Sequence, residues 1–226
     1  MTLAQPQKNY EKFAEEVING HPSELRLQQI VSQLKKDKEA MPHEDGIREM
    51  LGIALLRLKR FDKATSELRT AFNIAPCKEY ASNLLLSYRE AGKYDEGSEF
   101  NLKNIEYLPD SLITSIILGG TYSDEVIELL GDADVPVIRA AIESGLCKEL
   151  TSIFRFLIEN TNYGSSYSFE AEKEEGDWII DILVSIVGDE QDAIECSRSI
   201  SRELRKQYNS KVLMRIVPLV NCHKAA

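Results

Sequence analysis

Histidine, cysteine and paired carboxylates are the side chains that most often bind metals or move protons, and the chain spaces them unsuitably for either task. His21, His43 and His223 are isolated, without the two-His spacing on one helical face that a metalloprotease helix requires. Cys77, Cys147, Cys196 and Cys222 stand far apart, with no pair at metal-ligand spacing and no dense disulfide framework, so free buried thiols are expected. Cys222 and His223 are neighbours, but nothing in the sequence orients them and they lie near a terminus. Asp132 with Asp134, or Glu174 with Glu175, would be the carboxylates of a cation site, although solvated or capping roles explain them more simply. Gly119-Gly120 is followed by Thr121-Tyr122, and no Lys-Ser or Lys-Thr pair opens a helix after it, as a phosphate loop demands. These residues predict no enzyme, no metal and no cofactor.

Charge narrows the partners further. The net charge is -10, and its distribution is uneven. Residues 110–176 carry 4 Lys or Arg against 13 Asp or Glu, whereas 1–42, 43–109 and 177–226 are nearly balanced. That segment would repel a phosphate backbone, so no nucleic acid is expected, while a partner of basic character would be attracted. Arg198, Arg202 and Arg205 share a helical face, read as a solvated one. Met1 to Phe13 has no apolar stretch of secretory type, and Trp178 to Val187 is too short for a membrane span and contains Asp181. The expectation is a soluble, cytoplasmic protein without membrane insertion.

The elements carrying these residues begin with a repeat. Leu51 recurs as Leu84, Leu55 as Tyr88, Phe61 as Tyr94, Ala64 as Gly97 and Pro76 as Pro109, each pair 33 residues apart. Ile47, Leu51, Ala54, Leu55 and Leu58 form one apolar helical stripe. Gly52 and Ala64 are small where two helices of a hairpin approach, Ala71 is small where the next hairpin packs, and Pro76 disfavours helical geometry at Ala75. Residues 43–76 and 77–109 resemble the tetratricopeptide repeat, a helix-turn-helix unit of about 34 residues. The second copy departs from the pattern at Leu85 and Asn104, where small residues are usual, which predicts looser or altered packing. Residues 1–42 read as a degenerate capping hairpin, with Tyr10, Phe13, Ala14 and Val17 on one helix and Leu27, Ile30, Val31 and Leu34 on the next.

After Pro109 the repeat stops and helical signals continue. Ser123, followed by Asp124 and Glu125, suits a helix start. The run from Leu129 to Ala141 is similar to the turn of a HEAT repeat, with its acid-to-Arg139 spacing one residue too long. Leu146, Leu150, Ile153, Phe154, Leu157 and Ile158 predict an amphipathic helix. Asn162 to Gly176 reads as a long disordered loop, and Trp178 to Val187 as a central buried helix, although its β-branched content also permits a strand. A polar helix over Asp189–Tyr208 and a short apolar one over Val212–Val220 complete the prediction: an all-α chain, a right-handed α-α solenoid of hairpins with a helical region over 110–226.

The resemblance implies a protein-binding module, an adaptor, scaffold or chaperone-like protein that holds a partner segment against the first helices of its hairpins. The family's groove positions fall on Glu49, Ile53, Leu56 and Arg57 in the first copy and Ser82, Asn83, Leu86, Arg89 and Glu90 in the second. The subclass that clamps a C-terminal carboxylate is not expected: Glu49 and Ile53 occupy two of its key positions and only Asn83 agrees. Starting the register one hairpin earlier recovers Asn19 but loses the cations. Two other readings remain open at this point, a self-assembling homo-oligomer and a small-molecule or enzymatic site in the C-terminal half using a loop with Tyr163, Tyr167 and Phe169.

Overall fold

The amphipathic stripes of the first half become six helices in a computed structural model that describes residues 10–18, 20–123, 125–126, 128, 136–161 and 165–223. They are α1 (Glu11–Ile18), α2 (Glu24–Ala40), α3 (Asp45–Arg57), α4 (Phe61–Ile74), α5 (Lys78–Glu90) and α6 (Tyr94–Lys103). Their apolar faces bury Val17, Leu27, Ile30, Leu34, Ile47, Leu51, Leu55, Leu68 and Leu84 in one core. Each such side chain contributes about 1.5–3 kcal/mol when removed from water. The chain divides into two compact units, Met1–Leu112 and Ile113–Ala226.

The 33-residue offset extends to the backbone of the first unit. Helix α5 begins and ends 33 residues after α3, and α6 begins 33 residues after α4. Between α3 and α4 the Arg60 amide reaches the Leu55 carbonyl, and between α5 and α6 the Lys93 amide reaches that of Tyr88, both at 2.9 Å. Gly52 is small because a Cβ there would lie 2.5 Å from Leu68 Cγ, so α3 and α4 pack closely. The α5–α6 hairpin is looser: Leu85 stands where Gly52 does, and α6 stops short, with Asn104 just past its end.

Both hairpin turns pass through a left-handed residue, Gly92 at φ 68° in the second and Lys59 at φ 55° in the first. A side chain in that conformation costs about 1–2 kcal/mol, and glycine removes the clash while adding unfolded-state entropy. Lys59→Gly is therefore expected to stabilise the first unit by about 0.5–1 kcal/mol, read as a higher midpoint in chemical denaturation. An unchanged or lower midpoint would contradict this account of the turn.

The second unit mixes helices with a sheet. After a 3-10 turn at Pro109–Ser111, which ends the first unit, it contains α7 (Leu112–Gly119) from its second residue on, α8 (Pro136–Ser144), α9 (Cys147–Asn160), strands β1 (Ser166–Glu174) and β2 (Asp177–Val187), α10 (Glu190–Gln207), α11 (Ser210–Leu213) and β3 (Ile216–His223). The strands lie in the order β1-β2-β3, with β1 and β2 antiparallel and β2 and β3 parallel. The parallel pair requires a crossover, supplied by α10 and α11. Helix α10 opens on a capping box in which the Asp189 and Asp192 side chains satisfy each other's backbone amides. Ser123 accepts from the Val126 amide at 3.3 Å, as its predicted capping role requires.

The chain is mostly helical, broadly as the all-α expectation has it, with a small three-stranded sheet in addition. Three expectations about single elements are corrected. Trp178–Val187 is the central strand, not a buried helix: Ile180, Ile182, Val184 and Ile186 are fully buried beneath the helices, and the intervening residues face the other way. Most of the predicted loop is strand β1, joined to β2 through Glu175 and Gly176, both at positive φ as a tight two-residue hairpin needs. The predicted apolar helix over Val212–Val220 shrinks to Ser210–Leu213, and Ile216 already begins β3. The HEAT-like turn at residues 129–135, the start of the predicted loop at 162–164, and Asn19 lie outside the described residues.

Phe154 of α9 fixes the covered face of the sheet. Its fully buried ring meets Tyr167 and Phe169 edge-on, at centroid distances of 5.2 and 4.8 Å. At the other end Trp178 Nε1 donates to Glu143 of α8 at 2.6 Å, and the Lys173 ammonium sits over the indole ring. Thr151 and Arg155 of α9 donate to the Ile117 and Leu118 carbonyls, closing the exposed end of α7.

Candidate functional site

The first helices of the two hairpins, α3 and α5, lie against each other, and α3 also meets α1. Short polar links tie these elements together. Tyr10 donates to Glu44 at 3.0 Å, Tyr80 donates to Asp45 at 2.6 Å, and Asn83 Nδ2 donates to Glu49 Oε1 at 2.9 Å. The equivalent helices thus present a continuous polar seam, which sequence periodicity alone did not reveal; acceptors and donors 34 or 35 residues apart were the available signal.

Glu49 is buried within that seam. Burial raises its carboxyl pKa to about 7; the charges of Glu79 and Asp45 push it the same way, and the hydrogen bond from Asn83 opposes them. Burial, then the hydrogen bond to Asp45, also raises the Tyr80 phenol. Near neutral pH Glu49 is therefore shared between its acid and carboxylate forms.

The predicted groove residues fall into two groups. Leu56 is buried in the core, Glu49 is held by Asn83, and both Arg57 Nη atoms donate to α1-end carbonyls, to Gly20 at 2.5 Å and to Ile18 at 2.6 Å. These residues join the helices. Ile53 and Leu86 pack on the core with part of their surface open, and Ser82 is exposed. Arg89 and Glu90 are half-buried and form a 3.3 Å ion pair, and the buried Arg89 Nε has no hydrogen-bond partner among the described residues. The surface available to a ligand is thus Ile53, Ser82, Leu86, Arg89 and Glu90, with the outer part of Asn83.

The metal-ligating and thiol side chains stand apart among the described residues. No cluster of three or more His, Cys, Asp or Glu side chains is placed to hold a metal there. His21 and His43 are exposed, Cys77, Cys147 and Cys196 are half-buried, and Cys222 is exposed. Burial raises the thiol pKa of Cys147 and Cys196, which lowers their thiolate content. No helix among the described residues is long and apolar enough to cross a membrane. The chain matches no protein-family model, no curated protein and no solved structure.

Proposed function

We propose that the chain is a protein-interaction module, an adaptor, scaffold or chaperone-like protein, which binds a partner segment along the α3–α5 face. The observation that carries this reading is the pair of touching first helices of two hairpins in 33-residue register, with Ile53 and Leu86 partly open and the half-buried Arg89 one helical turn on from Leu86. Arg is among the residue types enriched where interfaces concentrate their binding energy, and the partly open Ile53 and Leu86 supply apolar surface next to it. The resemblance to tetratricopeptide repeats supports the same face and a right-handed solenoid arrangement of residues 43–109. Four free cysteines suit a reducing compartment, which supports work in the cytoplasm.

The test is capture of a partner from native lysate by wild type and by Ser82→Arg/Arg89→Ala, two changes outside the core. The double variant is expected to weaken the captured partner at least about tenfold, the effect of losing one central contact. Equal capture by a folded variant rejects the α3–α5 face as the site.

A further inference from the structure

Among the described residues of the second unit, helices pack on one face of the sheet. Phe154, Glu143 and the helices that carry them lie on the side of Tyr167, Phe169 and Trp178, and α10 meets both β3 and α9 on that side. On the opposite face the register aligns Glu172 with Ile179, Glu170 with Asp181, and Ser168 with Leu183. The parallel pairing then adds Val217 beside Asp181 and Leu219 beside Leu183. Along β1 this opposite face is exposed at Ser168, Glu170 and Glu172, and on β3 Leu219 is 44% exposed.

Two features of this face bear on its occupant. Apolar side chains from the two neighbouring strands β2 and β3 form a patch that a fully solvated sheet face would replace with polar residues. Glu170 and Asp181 stand directly opposite each other, an arrangement that destabilises a strand pair, and no Lys or Arg within the strands shares their face. Lys173 points to the covered side, where it lies over Trp178.

We propose that this face docks a cationic amphipathic protein segment, whose apolar side covers Ile179, Leu183, Val217 and Leu219 and whose Lys or Arg residues pair with Glu170, Glu172 and Asp181. Such a segment relieves the opposed carboxylates and removes the patch from water together. A second copy meeting the same face would set these acids against themselves, and an anionic lipid surface would be repelled by them. The proposal is independent of the α3–α5 reading, because it uses none of its residues.

The test uses the full chain with methyl-labelled Ile, Leu and Val and a helical peptide of Leu and Lys in amphipathic spacing, beside the same peptide with Glu for Lys. The methyl signals of Ile179, Leu183, Val217 and Leu219 are expected to shift with the Lys peptide and not with the Glu peptide. Glu170→Gln/Asp181→Asn should weaken binding about tenfold at low salt and flatten its salt dependence. This variant removes a repulsion, so its fold is expected to hold, and Leu219→Ser tests the apolar half at an exposed position. Shifts confined to other methyls, undiminished affinity in the neutralised variant, equal binding of the Glu peptide, or a dimer that Leu219→Ser dissolves would each overturn the proposal.

Discussion

Glu49→Gln is expected to raise the unfolding free energy by about 2 kcal/mol at pH 8 and to leave it almost unchanged at pH 4. In the folded chain the Glu49 carboxyl titrates near 7, against an ordinary value of 4.5, chiefly because it is buried and secondarily because Glu79 is close. Below about pH 4.5 both folded and unfolded chains carry the proton, and the contribution to stability is complete. Between 4.5 and 7 the folded chain still holds a proton that the unfolded chain has released, so stability falls as pH rises. Above 7 the carboxylate is charged in both states and the contribution is lost. Glutamine stays neutral throughout and retains a carbonyl for the Asn83 donor at 2.9 Å, so the link between α3 and α5 survives. Urea titrations at a series of pH values read the difference directly. Parallel pH profiles for wild type and variant would show that Glu49 is not held out of water.

Phe154→Ala is expected to cost the second unit about 3–5 kcal/mol. The ring is fully buried and stands edge-on to both Tyr167 and Phe169, so truncation opens a cavity and removes two aromatic contacts of about 0.5–1.5 kcal/mol each. Trp178 is the chain's single tryptophan and belongs to the central strand, which makes its fluorescence a probe of the same sheet. Its denaturation midpoint should fall sharply in the variant. A midpoint within error of wild type would mean that Phe154 does not hold α9 to β1.

The helical hairpins were legible because their apolar positions recur at a fixed offset and their helices pack through one stripe each. Leu51, Leu55, Ala64 and Leu68 are all buried as the spacing requires. The sheet was harder to read. In β2 the outward-facing Ile179, Leu183 and Val187 are as apolar as the buried Ile180, Ile182 and Ile186, so the apolar run is broken, and alternation shows, only at Asp181 and Ser185. Those two lie four residues apart, a spacing that a helix also satisfies. The informative segment was β1, where Tyr167, Phe169 and Ala171 alternate with Ser166, Ser168, Glu170 and Glu172 ahead of a Glu-Gly turn. Its high charge concealed that period. Strand β3 was read as helix because an apolar run of that length fits either element, and its pairing with β2 comes from a segment some thirty residues away in sequence.

At the candidate site, the family positions fall on α3 and α5, and the residues there divide between two tasks that the sequence does not separate. Arg57 and Glu49 carry charge, which in a sequence suggests ligand contact, yet their partners are the end of α1 and Asn83. Only the folded arrangement separates these joining residues from Ser82, Leu86 and Arg89.

The most direct test of the α3–α5 face is lysate capture by three folded proteins in parallel: wild type, Ser82→Arg/Arg89→Ala, and Glu170→Gln/Asp181→Asn. The account predicts a partner segment retained by wild type and by the sheet-face variant and lost from the α3–α5 variant. A partner retained equally by Ser82→Arg/Arg89→Ala would contradict it.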